Sequence, residues 1–256
     1  MSIKIKTPEQ IEGIRAESIL AAKAVQYAAT FALPGINTLT IDQKVEEFIR
    51  DHGGLAASKG YRGFPASCCT SVNDVICHGI PGLYSLKEGD ILNIDVAAIL
   101  NGYFGDTCRM FEIGECSDYA KRLISVSKEC LKLGIAECIP DNHLGNIGYA
   151  ITRYAEVNGC SVVYEFCGHG VGLAYHEEPE VNHFETRKNT GPLLKPGMTF
   201  TIEPMINAGK ARAKIDKKDG WTARTIDGKL SSQFEHTILI TYGKPEVLTD
   251  IYGEFQ

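Results

Sequence analysis

The chain has 256 residues, 44% hydrophobic and 23% charged, enough to bury a sizeable core as one α/β domain or two small ones and too apolar for a disordered chain. A net charge of −6 argues against broad binding to nucleic acid or to an anionic membrane, both of which reward a basic face. Nine cysteines without CxxC pairs or zinc-finger spacing fit reduced thiols buried as small hydrophobes better than a disulfide framework.

Residues 1–30 carry Lys4, Lys6, Glu9, Glu12, Arg15 and Glu17, so no secretory leader is predicted. With no apolar run of about 18 residues either, no membrane span and a cytoplasmic location are expected. Thr7-Pro8-Glu9-Gln10 has the form of a helix start: a capping threonine, a proline at the first helical position and a glutamine three residues after the cap. Ile11, Ile14, Ile19, Ala22, Val25 and Ala29 follow at helical spacing until Pro34-Gly35. Thr40 to Gln43 repeats the capping pattern and predicts a shorter helix, with Ile41, Val45, Phe48 and Ile49 on one face, that stops before Gly53-Gly54. Residues 55–90 are rich in glycine and proline and predict loops between short strands.

From Ile91 to Ile99 the pattern is that of a strand covered on both faces, and Asn101-Gly102 is a hairpin turn leading back through Tyr103 to Phe111. Ser117 opens a second long helix ending at Pro140, and a shorter one runs from about His143 to Asn158-Gly159. Val162-Val163-Tyr164 and Met198 to Ile206 are strand candidates, and a hairpin at Asp227-Gly228 is expected to join Trp221–Ile226 to Leu230–Thr241. Residues 182–195 and 207–219 are polar and irregular. Both halves thus run long helix, short helix, loop, hairpin strands. This predicts an α+β fold, a single domain over residues 1–256 with a central antiparallel sheet, helices on one face and an approximate twofold relation between about 1–114 and 115–250.

The chemistry gathers around Glu165-Phe166-Cys167-Gly168-His169-Gly170-Val171-Gly172-Leu173-Ala174-Tyr175-His176, two imidazoles seven residues apart in a glycine-rich segment. Alternating glycines let the backbone come close to whatever His169 touches; alone, the pair could equally be histidines of a surface turn. Four carboxylates tip the balance. Asp95, Asp106, Glu203 and Glu235 each stand in an apolar or β-patterned run where an unpaired charge is costly. With Asn101-Gly102 at the turn, Asp106 faces Ala97 and Asp95 is its diagonal neighbour on the same side, at roughly 7–8 Å. Such a pair is tolerable when one member is protonated or when cations lie between them; the alternative is one acid on a helix N-terminus and the other in water. Four carboxylates and one imidazole suit a pair of Mn, Fe, Co or Zn ions better than a structural zinc. A nucleotide-binding loop at 168–172 is disfavoured, because the spacing is GxGxG and no ribose-binding acid follows in a βαβ frame.

Asp95, Asp106 in Gly105-Asp106-Thr107, His169 in Gly168-His169-Gly170-Val171-Gly172, Glu203 in Thr201-Ile202-Glu203-Pro204 and Glu235 in Gln233-Phe234-Glu235-His236-Thr237 resemble, in order and spacing, the type I methionine aminopeptidases of the pita-bread superfamily. The resemblance extends over nearly the whole chain. Cys77-His78-Gly79-Ile80-Pro81, Trp221 in Asp219-Gly220-Trp221-Thr222 and the lack of the N-terminal domain of proline-directed relatives are similar to the methionine enzyme. Proline-directed peptidases and non-catalytic binding modules on the same fold are the alternatives. The modules have usually lost metal ligands, and all five stand here.

The resemblance implies a metal-dependent aminopeptidase that removes the initiator methionine from nascent polypeptides, preferring a small second residue, by attack of a hydroxide shared between two divalent ions. It implies that Asp95 binds one ion, that Asp106 and Glu235 bridge both, and that His169 and Glu203 complete the other, with Glu203 also the proton shuttle. His78 and His176 would bind substrate and stabilise the oxyanion; Tyr61, Phe64, Cys69, Tyr175 and Trp221 would surround the methionine side chain. Backbone carbonyls of Asn73, Val75 and Ser231 would hold a monovalent cation, Na or K. Taken singly, His78 is more ordinary as a turn or core histidine and the aromatic residues as plain core. Ser58 and Leu173 stand where some relatives carry cysteine and arginine, and neither is a ligand. A cytoplasmic monomer acting on nascent N-termini is expected, with the ribosome left open as a partner and no nucleic acid or membrane.

Overall fold

A computed structural model describes residues 2–255. Helix α1 (Pro8–Ala29) starts as the sequence requires: Thr7 Oγ1 accepts the Gln10 amide, and the Gln10 side chain accepts the amide of Thr7. Helix α2 (Thr38–Asp51) starts two residues before the expected Thr40, because Asn37 is the cap. Its Oδ1 accepts both the backbone amide and the hydroxyl of Thr40. Short strands β1 (Leu55–Ala56), β2 (Cys69–Val72) and β3 (Val75–Cys77) lead to the long hairpin β4 (Ile91–Leu100) and β5 (Tyr103–Glu112). Asn101 and Gly102 both take positive φ, 52° and 83°, the turn geometry that keeps two twisted strands in register.

Helices α3 (Asp118–Ala136) and α4 (Gly145–Val157) follow, then β6 (Ser161–Val162), β7 (Gly168–Gly170), β8 (Glu177–Val181), β9 (Thr199–Ile202), β10 (Met205–Asn207), β11 (Ala213–Ile215), β12 (Ala223–Thr225), β13 (Ser231–Gln233), β14 (His236–Leu239) and β15 (Glu246–Val247). Among the described residues every strand pairing is antiparallel, and the strands fall into four groups: β1-β4-β2 with β5 beside β4, β15-β14-β9-β7-β8, β13-β10-β6, and β11-β12-β3.

Two expectations for the second half are corrected. The run Met198 to Ile206 is not one strand: it breaks at Glu203-Pro204, and β9 and β10 belong to different sheets. Proline supplies no amide for a ladder, so pairing stops where Glu203 is needed elsewhere. Nor do the strands flanking Asp227-Gly228 pair with each other. β12 lies between β11 and β3, while β13 pairs with β10, so residues 207–219, expected to be irregular, supply the edge strand β11.

Helices α1 and α2 cover the first sheet through Leu20, Ala24, Ala28, Ile41, Val45 and Ile49 against Ile94, Val96 and Ala98. Helices α3 and α4 cover the second half through Leu123, Leu131, Ile147 and Ile151 against Phe200, Ile202, Ile206 and Ile238. Each fully buried side chain of this kind contributes about 1.5–3 kcal/mol. Between the halves runs a seam of hydrogen bonds. Glu235 donates its amide to Cys108 at 3.1 Å and accepts from Thr107 Oγ1 at 2.7 Å, while Thr237 Oγ1 accepts the Asp106 amide at 3.2 Å and donates to its carbonyl at 2.8 Å. Among the described residues no helix is long and apolar enough to cross a membrane.

Candidate metal centre

The hairpin register puts Ala97 opposite Asp106 and Asp95 opposite Cys108, so both acids point to one side. On the other edge of β4, Asp95 faces Cys69 of β2. Burial lifts Asp95 to about 7 even though Cys69 and Asp106 pull the other way. Asp106 is raised well above the carboxylate range by burial and then by the charges of Asp95, Glu203 and Glu17.

His169 comes from β7, between two glycines that admit its neighbours. A Cβ on Gly168 would lie 2.5 Å from the Thr201 carbonyl, and one on Gly170 would strike the Glu178 carbonyl. The His169 amide donates to Thr201 Oγ1 at 3.0 Å, and its Nδ1 faces the Gly170 carbonyl at 3.0 Å. Burial pulls the imidazole down to about 4, so it is neutral at pH 7. The proton on Nδ1 leaves the Nε2 lone pair directed at Asp106 Oδ2, 3.6 Å away, and at Glu203 Oε1, 3.7 Å away.

Glu203 sits at the break between β9 and β10. Its amide donates to Nε2 of His183 at 3.1 Å; Thr201 Oγ1 donates to its Oε1 at 2.7 Å, and Gln233 Nε2 to its Oε2 at 3.3 Å. Burial raises it to about 8, against the Thr201 hydrogen bond and with help from Asp95. Glu235, in the gap between β13 and β14, is raised well above its ordinary range by burial and then by Asp106, Glu203 and Asp95. Ligand atoms of Asp106, His169 and Glu235 all lie within 4.8 Å of one another; Glu203 Oε1 adjoins them through His169, and Asp95 lies beside Asp106 on the same side of the hairpin.

These residues fit divalent cations. The His169 Nε2 to carboxylate distances are too long for hydrogen bonds, and among the described residues the buried Asp106 Oδ1 has no hydrogen-bond partner. Four acids forced toward protonation beside a neutral imidazole form an oxygen-rich donor set that positive charge would satisfy.

The expected substrate residues gather beside this centre. His176 lies over His169 at 4.0 Å between ring centroids and stacks on Tyr61 at 5.0 Å, and Tyr61 meets Tyr175 edge-on at 4.8 Å. His176 itself is exposed, yet this partial loss of water, with His169, Arg62 and His78 nearby, lowers its pKa. His78 takes φ 55° and sets its ring edge-on to Phe166 at 5.3 Å and Trp221 at 6.1 Å; Trp221 meets Phe64 edge-on at 5.2 Å. Phe64, Cys69 and Trp221 share one small apolar cluster with Ala66 and Ile80. Asn73 and Ser231 meet through the Ser231 amide and the Asn73 carbonyl at 2.9 Å, and Val75 lies in β3 beside them.

Sequence reasoning missed His183, and gave Thr201 and Gln233 no part although both stand in the quoted motifs. The signal for His183 was alternation: Pro179, Val181 and His183 are all buried, a pattern that runs two residues past the end of β8 into the stretch expected to be irregular.

An antiparallel α/β scaffold that brings three buried carboxylates, the half-buried Asp95 and a neutral imidazole together is the framework of a metal-dependent hydrolase. The metallopeptidase family M24 profile matches residues 12–242. The chain is 45% identical to the methionine aminopeptidase of Escherichia coli K12, over 97% of this chain and 94% of that protein, and 46% identical to methionine aminopeptidase A of Synechocystis, over 97% and 98%. Among solved structures it resembles the methionine aminopeptidase of Rickettsia prowazekii, with TM-score 0.95 and 44% identity over 97% of this chain and 100% of that one. Prolidase from Pyrococcus furiosus, 23% identical with TM-score 0.75, shares the pita-bread fold. The chain belongs to metallopeptidase family M24.

Proposed function

We infer that this chain is a methionine aminopeptidase, a metal-dependent hydrolase that removes the N-terminal methionine of polypeptides. The observation that carries this is the juxtaposition of the Asp106, His169 and Glu235 cluster with an aromatic and thiol-lined cluster, in a chain similar to methionine aminopeptidases over nearly its whole length. The centre draws Asp95 and Asp106 from one half and His169, Glu203 and Glu235 from the other, so residues 1–256 act as one catalytic unit. Proline-directed hydrolysis and a non-catalytic role are not favoured: the prolidase likeness is one of fold, and the donor set is complete.

Asp95 would hold one divalent ion, Asp106 and Glu235 would be shared, and His169 and Glu203 would complete the second; Mn, Fe, Co and Zn all suit this donor set. When bound, such ions acidify water and polarise the scissile carbonyl. Glu203, buried beside this centre, would take up a proton on a carboxyl oxygen and deliver it to the leaving amine. His78 and His176, whose pKa values are lowered, are neutral N–H donors for a developing oxyanion. Tyr61, Phe64, Cys69, Tyr175 and Trp221 would enclose the thioether, which gains dispersion and sulfur–aromatic contact there. A small second residue is preferred, the substrates are nascent N-termini in the cytoplasm, and carbonyls of Asn73, Val75 and Ser231 would take a monovalent cation.

Hydrolysis of Met-Ala-Ser against Ala-Pro-Ala by metal-stripped protein reloaded with Mn²⁺ or Co²⁺ tests this. Release of methionine from the first peptide alone is expected. Cleavage of the proline peptide alone would move the assignment to a proline-directed enzyme, and silence with every metal would make the chain a binding module.

A further inference from the structure

The loop that presents Tyr175 and His176 is held by a charge pair far away in sequence. Lys6, in the segment before α1, has a side chain only 1% exposed, and its Nζ donates to Glu177 Oε2 at 2.9 Å; the Glu177 side chain is 4% exposed. The other carboxylate oxygen, Oε1, accepts the amides of Leu173 at 2.6 Å and Ala174 at 2.9 Å. Gly172 closes the turn by donating to the Ala174 carbonyl at 3.2 Å, with φ +136°, and its own carbonyl accepts the Phe104 amide at 2.9 Å. Lys6 is pinned in turn, its amide donating to Gly197 at 2.8 Å.

A buried ion pair is a poor source of stability, since desolvating two charges offsets most of their attraction. What this pair supplies is geometry. One carboxylate closes the 173–176 loop by accepting two amides that would otherwise lack partners, and the ammonium fixes where that carboxylate lies. From this loop the Tyr175 hydroxyl reaches Ser58 Oγ at 3.3 Å, and the His176 ring covers His169.

We propose that Lys6 and Glu177 are positioning residues that lock the 173–176 loop and hold the rings of Tyr175 and His176 at the substrate side of the metal centre. The proposal rests on the roles given above to Tyr175 and His176. Neither Lys6 nor Glu177 contacts substrate; both act through the loop backbone. Displacement of a catalytic donor by about 1 Å can cost on the order of 10²-fold in rate, so a loosened loop appears in kcat more than in KM.

Two double variants separate positioning from bulk stability. In Lys6→Gln/Glu177→Gln the amide oxygen at 177 still accepts from Leu173 and Ala174, and its NH₂ turns to the oxygen at position 6. In Lys6→Met/Glu177→Met the charges are also gone, but so is the acceptor. At matched Tm and metal content, the first pair is expected to keep kcat for Met-Ala-Ser within about threefold of wild type, and the second to lose roughly 10- to 100-fold in kcat. Amide hydrogen exchange at Leu173 and Ala174 is expected to rise only in the second. Equal kcat in the two variants, or protected amides in Lys6→Met/Glu177→Met, would overturn the proposal. If wild-type protein leaves Met-Ala-Ser intact with every metal, the functional assignment fails, while exchange at 173 and 174 still decides whether the pair locks the loop.

Discussion

The backbone amide of Glu203 donates to Nε2 of His183 across 3.1 Å, so a buried neutral imidazole sets the direction in which the chain leaves β9. Burial, with His169 nearby, pulls His183 down to about 3, which keeps Nε2 an acceptor at any working pH. His183→Phe removes the acceptor while filling the space. It is expected to lower kcat about 10- to 100-fold and stability by about 1–3 kcal/mol, measured by steady-state kinetics and urea unfolding.

Glu203→Gln keeps an oxygen for Thr201 but cannot hold the mobile proton. Turnover is expected to fall by about 10²–10⁴, more severely than metal loading measured by titration calorimetry. Near wild-type turnover in this variant would remove Glu203 as proton carrier.

Removing the metal should make the protein sensitive to pH. With folded-state values of about 7 for Asp95 and about 8 for Glu203, both above those of the unfolded chain, the stability these acids contribute is fully present below about pH 4. It is lost progressively above about pH 4 and is gone once pH has passed 7 and 8, where both must ionise side by side. The gain in Tm from adding Mn²⁺ is therefore expected to grow from pH 5 to pH 8. A gain that is flat or shrinks with pH would count against carboxylate ligation.

Glu17 is a different buried acid. It is fully buried on α1, and among the described residues neither carboxylate oxygen has a hydrogen-bond partner. Burial alone raises its pKa well above the carboxylate range. Its carboxylate lies against Gly105, where a Cβ would collide with it. Folding favours the protonated form, so this group weakens the protein as pH rises above about 4.5. Glu17→Gln is expected to be more stable than wild type at pH 7 by about 1–3 kcal/mol, an advantage that shrinks toward pH 4.5, read by urea unfolding at both values.

Much of the centre was legible because its information is local. Asn101-Gly102 fixes the turn, the turn fixes the register, and the register places Asp95 and Asp106 on one side. His169, Glu203 and Glu235 stood out because charge in a β-patterned or glycine-rich run is costly without a purpose. What stayed hidden depends on distant partners. Strand β12 has the pattern of a hairpin arm with β13, yet β11 and β3 take its two edges. The α2 cap was misplaced because Thr40 has the right chemistry for it, whereas Asn37, three residues earlier, accepts the free amide of Thr40. Glu17 falls where helical spacing predicts neither burial nor exposure clearly, and only the packing of α1 on β5 shows that it is enclosed.

The seam along Thr107, Cys108, Glu235 and Thr237 has a practical consequence. Cutting the polypeptide at Gly114, after β5, would yield two fragments, each with only part of the proposed ligand set. Neither could work alone, and mixing them would restore peptide cleavage only where the two pieces dock and capture their ions together. Split in this way, the molecule becomes a reporter whose signal follows metal-driven reassembly.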